Sequence, residues 1–396
     1  MARSPRLPIR PEVAAIRERV ISTRRDFHQH PELSWQEHRT QSRIIERLHQ
    51  IGLTDIRAVA RTGVTGLVQG SKTGRCVLWR ADMDALPIPE KSTLPFASTT
   101  ENVMHACGHD AHMAIALGIA ETLSAKRDEL QGTVRFVFQP AEEAAGGAQA
   151  CIADGVLDSP KVDVALGLHI SADIPLGAIN VAPGPFFAAP TAFKITIHGR
   201  GGHAAAPHQT VDAVVVAAHV ITALQTVVSR STSPSDAAVL TVGKLAGGFR
   251  GNVIAESATM SGTIRSYTHA VRETMIRRTE EIPAGVCAAF AATYEFEHQT
   301  SCPPLVNDPE IARYVREVGE EYFGERNILA TASMGAEDMG VFLEQRPGCY
   351  FWLGARNESK GIAGRHHDAG FVIDEEAMLL GIEFGARLIE GQLARR

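Results

Sequence analysis

The stretch HACGHDAHMAIALGIAETL, residues 105–123, joins a dense cluster of metal-type ligands to an apolar segment. Its first eight residues hold three histidines, one cysteine and one carboxylate, with Cys107 and His109 two positions apart. That spacing lets a loop direct both side chains to one point, and such donors are typical of transition-metal sites. The Ala-, Leu- and Ile-rich residues that follow, His112–Leu123, predict a helix.

Three apolar runs around this stretch predict buried strands of an α/β sheet with covered faces. They are Cys76–Ala81, Gly132–Gln139 and Val162–His169. Each run ends in polar residues: Asp82 and Asp84, Glu142 and Glu143, and His169 itself. Because ligands bind beyond the carboxyl ends of the strands in such sheets, we expect these side chains to meet.

A segment from about residue 185 to 298 has a different pattern. It predicts, in order, a strand, a helix, two strands, a helix and a strand: Thr191–His198, Val211–Ser229, Ala237–Leu245, Asn252–Tyr267, Val271–Phe290 and Ala291–His298. This order is typical of a ferredoxin-like sandwich. We therefore predict a larger α/β domain of residues 1–185 and 300–396, with a smaller α+β domain of residues 186–299 inserted into it.

Composition excludes several classes of protein. The net charge of −6 argues against nucleic acid as a main partner. We see no apolar run of about 18 residues, so no membrane span is expected. The N-terminal segment Met1–Pro11 is basic and interrupted by proline, unlike a secretory signal. The six cysteines show no paired spacing, which favours reduced thiols and a cytoplasmic location.

The candidate metal ligands become informative as a set. A single histidine is more often a hydrogen-bonded core residue, and a Glu-Glu pair is more often solvated surface. Here five candidates each lie in a Gly- or Pro-rich loop beside a predicted strand or helix end: Cys107, His109, Glu143, His169 and His367. Their nitrogen, sulfur and oxygen donors suit one or two Zn²⁺, Mn²⁺, Co²⁺ or Ni²⁺ ions with room for water. In such a site one carboxylate of the Glu142-Glu143 pair can bind metal while the other acts as general base.

Several motifs resemble the di-metal aminoacylase and carboxypeptidase family, in its branch of hippurate hydrolases, N-acyl-amino-acid amidohydrolases and auxin-conjugate hydrolases. The motifs occur in the family's order along nearly the whole chain. They are RADMDALPI (Arg80–Ile88), MHACGHDAHMA (Met104–Ala114), FQPAEE (Phe138–Glu143), LGLH (Leu166–His169), GRGGHAAAPH (Gly199–His208) and GAEDM (Gly335–Met339).

The resemblance implies that the same five ligands hold two divalent metal ions per subunit, with Glu142 as general base and Asp84 orienting a ligand. Asp82 stands where other branches have a metal-binding histidine, and the resemblance gives it no role. His367 is preferred to His366 because it keeps the family's spacing to Phe371, although Asp368 and Ala369 replace the usual small polar residue and proline.

The two-domain layout predicts that the inserted domain closes over the substrate as a lid. The resemblance implies that this domain is also a dimerisation surface, in a homodimer or a tetramer. His203 is expected to reach the partner subunit's site and to polarise the scissile carbonyl. Arg265, with Asn252 nearby, is expected to bind the α-carboxylate of the substrate, since guanidinium groups suit carboxylates.

The resulting expectation is a metallo-amidohydrolase that cleaves N-acyl amino acids to a carboxylic acid and a free amino acid. A carboxypeptidase or dipeptidase of the same family is the alternative with the same site chemistry. A non-catalytic metal-binding protein is a remoter alternative, and the presence of Glu142 argues against it.

Overall fold

The computed structural model describes residues 5–395, so Met1–Ser4 of the basic N-terminal segment and Arg396 lie outside the described residues. The chain forms two compact units. The first comprises the described residues up to Phe186, together with Val306–Ala332 and the residues from Asp338 onward. The second comprises Phe187–Leu305 and Ser333–Glu337.

The helices and strands are as follows. The helices in the described chain are α1 (Pro11–Ala15), α2 (Arg17–Gln29), α3 (His38–Ile51), α4 (His109–Ser124), α5 (Gly147–Ala153), α6 (Ala213–Ser231), α7 (His269–Ala289), α8 (Pro309–Phe323), α9 (Met339–Gln345) and α10 (Glu376–Ala394). The strands there are β1 (Thr54–Val59), β2 (Gly63–Gln69), β3 (Lys72–Asp82), β4 (Gln131–Gln139), β5 (Val164–Pro175), β6 (Ile179–Asn180), β7 (Gly184–Phe187), β8 (Ala189–His198), β9 (Gly202–His203), β10 (Ala238–Gly247), β11 (Val253–Ile254), β12 (Ser257–Ser266), β13 (Thr293–Thr300), β14 (Leu305–Asn307), β15 (Ile328–Leu329) and β16 (Gly348–Arg356).

The first unit is built on an eight-stranded sheet in the order β1-β2-β4-β3-β5-β16-β6-β15. Its four central strands, β4, β3, β5 and β16, are all parallel. The predicted α/β sheet is therefore confirmed. Parallel pairing places the carboxyl ends of these strands at one edge, which is where the candidate ligands follow in the sequence.

Side chains of β3 alternate between the two faces of this sheet, as the pleat requires. Trp79 is buried in the main core, which also contains apolar residues of α4 and α10. Its neighbour Arg80 is completely buried but bonds to Asp338, just before α9. Both faces of the central strands are thus covered, one mainly by apolar packing and the other partly by a buried ion pair.

The contact of α4 and α10 depends on glycine. A Cβ placed on Gly385 of α10 would lie 2.5 Å from Ile119 Cδ1 and 2.9 Å from Trp79 Cη2. A Cβ on Gly118 of α4 would lie 2.3 Å from Ile382 Cδ1. Because real side-chain carbons do not approach so closely, these two helices can pack at this distance only without side chains at the crossing.

The second unit is a four-stranded antiparallel sheet in the order β10-β12-β8-β13. With α6 and α7 between the strands in sequence, it is the predicted ferredoxin-like sandwich. By length and composition alone, α6 is apolar enough to cross a membrane. Its residues Val216, Val220 and Leu224 are buried in the core of this unit with Ile195 of β8, as in a helix that packs on a sheet.

Two sequence predictions need correction. The predicted strand Asn252–Tyr267 is two strands, because β11 pairs with β9 whereas β12 pairs with β8. Strand β5 continues past His169 to Pro175, since β16 stays paired with it.

Glycine substitutions test the helix packing. Gly385→Ala should destabilise the protein by about 1–3 kcal/mol, because the added methyl group overpacks the core. The same change at Gly285, on α7 where no other described residue comes within 4 Å of an added Cβ, should stabilise by about 0.5–1 kcal/mol through helix propensity. Differential scanning calorimetry checks both, and a Gly385→Ala protein as stable as wild type would contradict the close packing.

Candidate metal centre

Three parallel strands deliver the polar residues of the site to one edge of the sheet. Asp82 is the last residue of β3 and Asp84 follows it. Glu142 and Glu143 follow β4, and His169 lies in β5. Because the three strands pair in parallel, the side chains of Asp82, Asp84, Glu143 and His169 lie in one cluster, as expected.

The loop that carries Cys107 is held against β5 by a glycine. Gly108 has a backbone φ of 90°, and a Cβ there would lie 2.5 Å from Ile170 Cγ2. Only glycine combines this left-handed conformation with so close an approach. The next residue, His109, begins α4, so both predicted ligands of this loop are buried at the start of a core helix.

Two groups of donor atoms share the sulfur of Cys107. One group is Cys107, His169 and His366, and the other is Cys107, His109 and Glu143. Within each group the donor atoms lie within 4.8 Å of one another. Cys107 Sγ is 3.4 Å from His169 Nε2. The structure therefore brings four of the five predicted ligands together around one thiol.

The fifth predicted ligand, His367, lies beside Glu143, with its Nε2 3.1 Å from Glu143 Oε1. This contact raises the pKa of His367, whose side chain is about half exposed. Its neighbour His366 is the more buried of the two, and its Nδ1 lies 3.9 Å from Cys107 Sγ. Both histidines thus contact the donor cluster: His366 lies in the group with His169, and His367 contacts Glu143 of the other group.

Charge compensation is strong around His109. Burial alone would lower the pKa of this imidazole, but the carboxylates of Asp82, Asp84 and Glu143 raise it to about 10. Asp84 Oδ1 lies 3.4 Å from His109 Nδ1, and Asp82 Oδ2 lies 3.7 Å from His109 Nε2. Together with the Arg80 guanidinium beside Asp82, the imidazolium balances these buried carboxylates.

The other two central donors behave differently. Burial, followed by the charges of Glu143 and Glu142, raises the pKa of the Cys107 thiol well above its ordinary value. Burial lowers the pKa of His169 well below its ordinary value, so this imidazole is neutral. A neutral imidazole is the form that binds a metal ion, whereas the thiol must first lose its proton.

Unpaired buried atoms show that the donor set fits a metal ion. Neither ring nitrogen of His109 makes a hydrogen bond of good geometry among residues 5–395, and the same holds there for His366 Nε2. Buried polar atoms without partners are costly and uncommon. Donors of nitrogen, sulfur and oxygen type that converge in this way suit a divalent transition metal.

Two buried carboxylates from distant parts of the chain hold the Glu142-Glu143 loop. Asp84 accepts hydrogen bonds from the backbone N–H of Glu142 at 3.1 Å and of Glu143 at 3.0 Å. Glu37 accepts one from Ala141 N–H at 2.9 Å. No role was predicted for Glu37, because nothing in the spacing of the sequence indicates that it contacts this loop.

The predicted substrate-binding residues lie in the second unit. His203 is exposed and belongs to β9, paired with Val253, so Asn252 is its close neighbour. Arg265 lies near the other end of β12, opposite Pro190. Eight residues separate it from Ser257 at the start of that strand, roughly 26 Å at the usual rise. The expectation that Asn252 lies near Arg265 is therefore wrong within one chain, because β12 holds them apart.

The fold and the donor cluster together define a metal-dependent hydrolase with an inserted α+β domain. A model of the peptidase family M20/M25/M40 matches residues 78–391. N-acetylcysteine deacetylase of Bacillus subtilis is 38% identical, over 94% of this chain and 97% of the relative. Thermostable carboxypeptidase 1 of Saccharolobus solfataricus is also 38% identical, over 93% of this chain and 94% of the relative.

A crystal structure from Bacillus subtilis, described as a dinuclear metal-binding peptidase of the M20 family, has the same fold. Its TM-score is 0.83 at 34% identity, covering 96% of this chain and 99% of that chain. The chain belongs to peptidase family M20/M25/M40 and is a metallo-amidohydrolase. The resemblance found in its motifs is confirmed, and so is metal-dependent amide hydrolysis as its class of reaction.

Metal binding should depend steeply on pH. Metal-free His109 carries a proton at neutral pH, and so does the Cys107 thiol, yet an ion binds only the deprotonated forms. Binding should therefore release about two protons, and affinity should rise up to about 100-fold per pH unit below pH ~9. Calorimetry in buffers of different ionisation enthalpy counts the protons.

His109→Ala is the matched control for this experiment, because it should release one proton fewer. A wild-type affinity that does not change between about pH 6.5 and 8.5 would contradict the assigned protonation states.

Proposed function

We propose that the protein hydrolyses the amide bond of N-acyl amino acids, giving a carboxylic acid and a free amino acid. The observation that carries the proposal is the buried donor cluster around Cys107 with Glu142 in the adjoining loop. Support for the substrate class comes from the relatives, among which is N-acetylcysteine deacetylase of Bacillus subtilis. The substrate is a small molecule with an acyl group on one side of the amide and an α-carboxylate on the other.

Two divalent ions per subunit are proposed, held by Cys107, His109, Glu143, His169 and His367. The shared sulfur of Cys107 supports a pair of ions, because it belongs to both donor groups. The mixed nitrogen, sulfur and oxygen donors suit Zn²⁺, Mn²⁺, Co²⁺ or Ni²⁺. Because His366 also approaches Cys107, metal content of His366→Ala and His367→Ala proteins decides which histidine is required.

Glu142 is the proposed general base. When bound, the metal ions supply Lewis acidity, which lowers the pKa of water toward about 7. The Glu142 carboxylate then accepts a proton from the attacking water and returns it to the leaving amine. Asp84 contributes by accepting hydrogen bonds from the backbone N–H groups of Glu142 and Glu143. These two bonds hold both glutamates beside the other proposed ligands.

Arg265 is the proposed binder of the substrate carboxylate. Its side chain is half-buried, and its Nη1 has no hydrogen-bond partner among the described residues. Burial lowers the pKa of this guanidinium, whose ordinary value is far above neutral, so a carboxylate ligand would compensate a partly desolvated charge.

A homodimer is proposed because His203 and Asn252 lie far from Arg265 in one chain. A substrate a few ångströms long cannot contact both ends of β12, which are roughly 26 Å apart. If His203 polarises the scissile carbonyl and Arg265 binds the carboxylate, the two must come from different protomers. Exposed apolar residues of the second unit, including Val215 and Leu245, offer area for pairing, and a tetramer is the alternative assembly.

The carboxypeptidase alternative is supported by the similarity to thermostable carboxypeptidase 1 of Saccharolobus solfataricus. It requires the same metal ions and carboxylate binding, and differs in accepting a free amine on the acyl side. Hippurate, N-acetyl amino acids and dipeptides compared as substrates separate the two activities. A non-catalytic metal-binding role would require no turnover on any of them.

A cytoplasmic location is proposed from the state of the thiols. All six cysteines are free and buried, as is usual where thiols are kept reduced.

Glu142→Gln tests the general base. The neutral amide cannot accept the proton of water, so kcat should fall about 10²–10⁴-fold while the metal content stays at the wild-type value. Steady-state kinetics on an N-acyl amino acid and elemental analysis of the same preparation provide the two readouts. Wild-type turnover by the metal-loaded variant would show that another group takes the proton.

Arg265→Ala tests the carboxylate contact. Loss of a charged hydrogen bond should lower kcat/KM for N-acyl amino acids about 10–150-fold, mainly through KM. The matched control is Arg250→Ala, which changes an exposed arginine of the same unit. Amide substrates without a carboxylate should be unaffected, and an equal loss on these substrates would refute the role.

The assembly is tested by light scattering and by mixing. Wild-type protein should have twice the mass of the chain, or four times for a tetramer. Mixing inactive His203→Ala and inactive Glu142→Gln proteins should restore activity in hybrid dimers, since one site then has both groups. A fully active monomer would eliminate the contribution of His203 from a partner.

A further inference from the structure

Strand β5 loses its neighbour β3 just before the metal centre, whereas β16 stays paired on its other side. β3 pairs with β5 only as far as Arg80 and Gly167, three residues before Ile170. At Ile170 the peptide groups are bonded to side chains instead. Its N–H donates to His112 Nε2 at 2.8 Å, and its carbonyl accepts a hydrogen bond from His169 Nδ1 at 2.7 Å.

These bonds fix the proton positions on both imidazoles. Because His112 Nε2 accepts the Ile170 N–H, the ring proton of neutral His112 is on Nδ1. That proton is donated to Asp82 Oδ1, 2.5 Å away. His169 donates from Nδ1, which leaves the lone pair of its Nε2 directed to the side where Cys107 Sγ lies, at 3.4 Å.

The side chains of Asp82, His112 and His169, which form these hydrogen bonds, are all buried. Asp82 uses its second oxygen, Oδ2, to accept a hydrogen bond from Arg80 Nη1 at 2.6 Å. The rings of His112 and His169 are in edge contact, with centroids 4.6 Å apart and planes at 77°. His169 therefore has little freedom to rotate, because one ring nitrogen is bonded and one ring edge is covered.

We propose that His112 and Asp82 are positioning residues, which orient the His169 imidazole for metal binding through the backbone N–H and carbonyl of Ile170. This inference rests on the proposed role of His169 as a metal ligand. It also assigns a function to Asp82, the residue that replaces a metal-binding histidine of other family branches: its carboxylate holds the tautomer of His112.

An alternative reading of the same residues is a further metal site. Donor atoms of Asp82, His109 and His112 do lie within 4.8 Å of one another. His112 has no lone pair to offer, however, since Nε2 accepts from Ile170 and Nδ1 carries the proton donated to Asp82. Both nitrogens of the His112 ring therefore form hydrogen bonds, and neither is free to bind a metal ion.

The test compares metal affinity among variants of α4 and β3. His112→Leu removes both bonds, and should weaken metal binding about 10–100-fold, as is usual when the partner of a ligand is lost. His112→Gln can still accept the Ile170 N–H and should retain most of the affinity. Asp82→Asn should give an intermediate loss. Thr122→Val, a buried polar change on the same helix, is the matched control and should bind as wild type does.

Competition with a chelator measures the affinities for Co²⁺, and the thiolate-to-cobalt absorption band reports the geometry at Cys107. Thermal melts of the metal-free proteins separate folding from binding. A purely structural role would lower the melting temperature of His112→Leu but leave its Co²⁺ affinity equal to that of Thr122→Val, which would overturn the proposal.

His169→Ala distinguishes this failure from failure of the metal assignment. If His169→Ala loses one ion of two while His112→Leu binds Co²⁺ normally, only the positioning role is refuted. If wild type binds no Co²⁺, or His169→Ala still binds two ions, the metal-ligand assignment and the positioning role both fail.

Discussion

Parallel pairing of β4, β3 and β5 is the constraint on which the rest of the structure depends. It brings three strand ends to one edge, and with them residues separated by up to 87 positions, from Asp82 to His169. The edge is also where burial is most costly, because carboxylates, imidazoles and a thiol are removed from water together. Interactions within the cluster offset this cost. The imidazole of His109 remains charged among carboxylates, and the carboxylate of Asp84 accepts hydrogen bonds from two backbone N–H groups.

The backbone around the donors is fixed by side chains wherever the regular sheet ends. Asp84 and Glu37 bind the N–H groups of the loop that carries Glu142, and His112 binds the N–H of Ile170 beyond the end of β3. Such groups would otherwise be buried without partners, which is costly. The residues that bind these backbone groups therefore also limit the movement of the proposed ligands beside them.

Much of this architecture could be predicted from the sequence, because strand ends and ligands are neighbours along the chain. The α/β sheet, the ferredoxin-like order and the cluster of Cys107, His109, Glu143 and His169 followed from local patterns. Contacts such as Glu37 with Ala141 could not be predicted, since nothing in the spacing of distant residues encodes them. The separation of Asn252 from Arg265, in contrast, follows from the strand prediction itself, because thirteen residues of extended strand span roughly 43 Å.

The central claim is that a two-metal site on this sheet edge catalyses amide hydrolysis of N-acyl amino acids. Metal analysis of the purified protein, combined with turnover of an N-acyl amino acid panel after chelation and stepwise return of metal, tests it most directly. The account predicts two ions per chain, loss of activity on chelation and recovery as the ions are restored. Full activity in protein stripped of metal, or two bound ions with no turnover of any N-acyl amino acid, would contradict it.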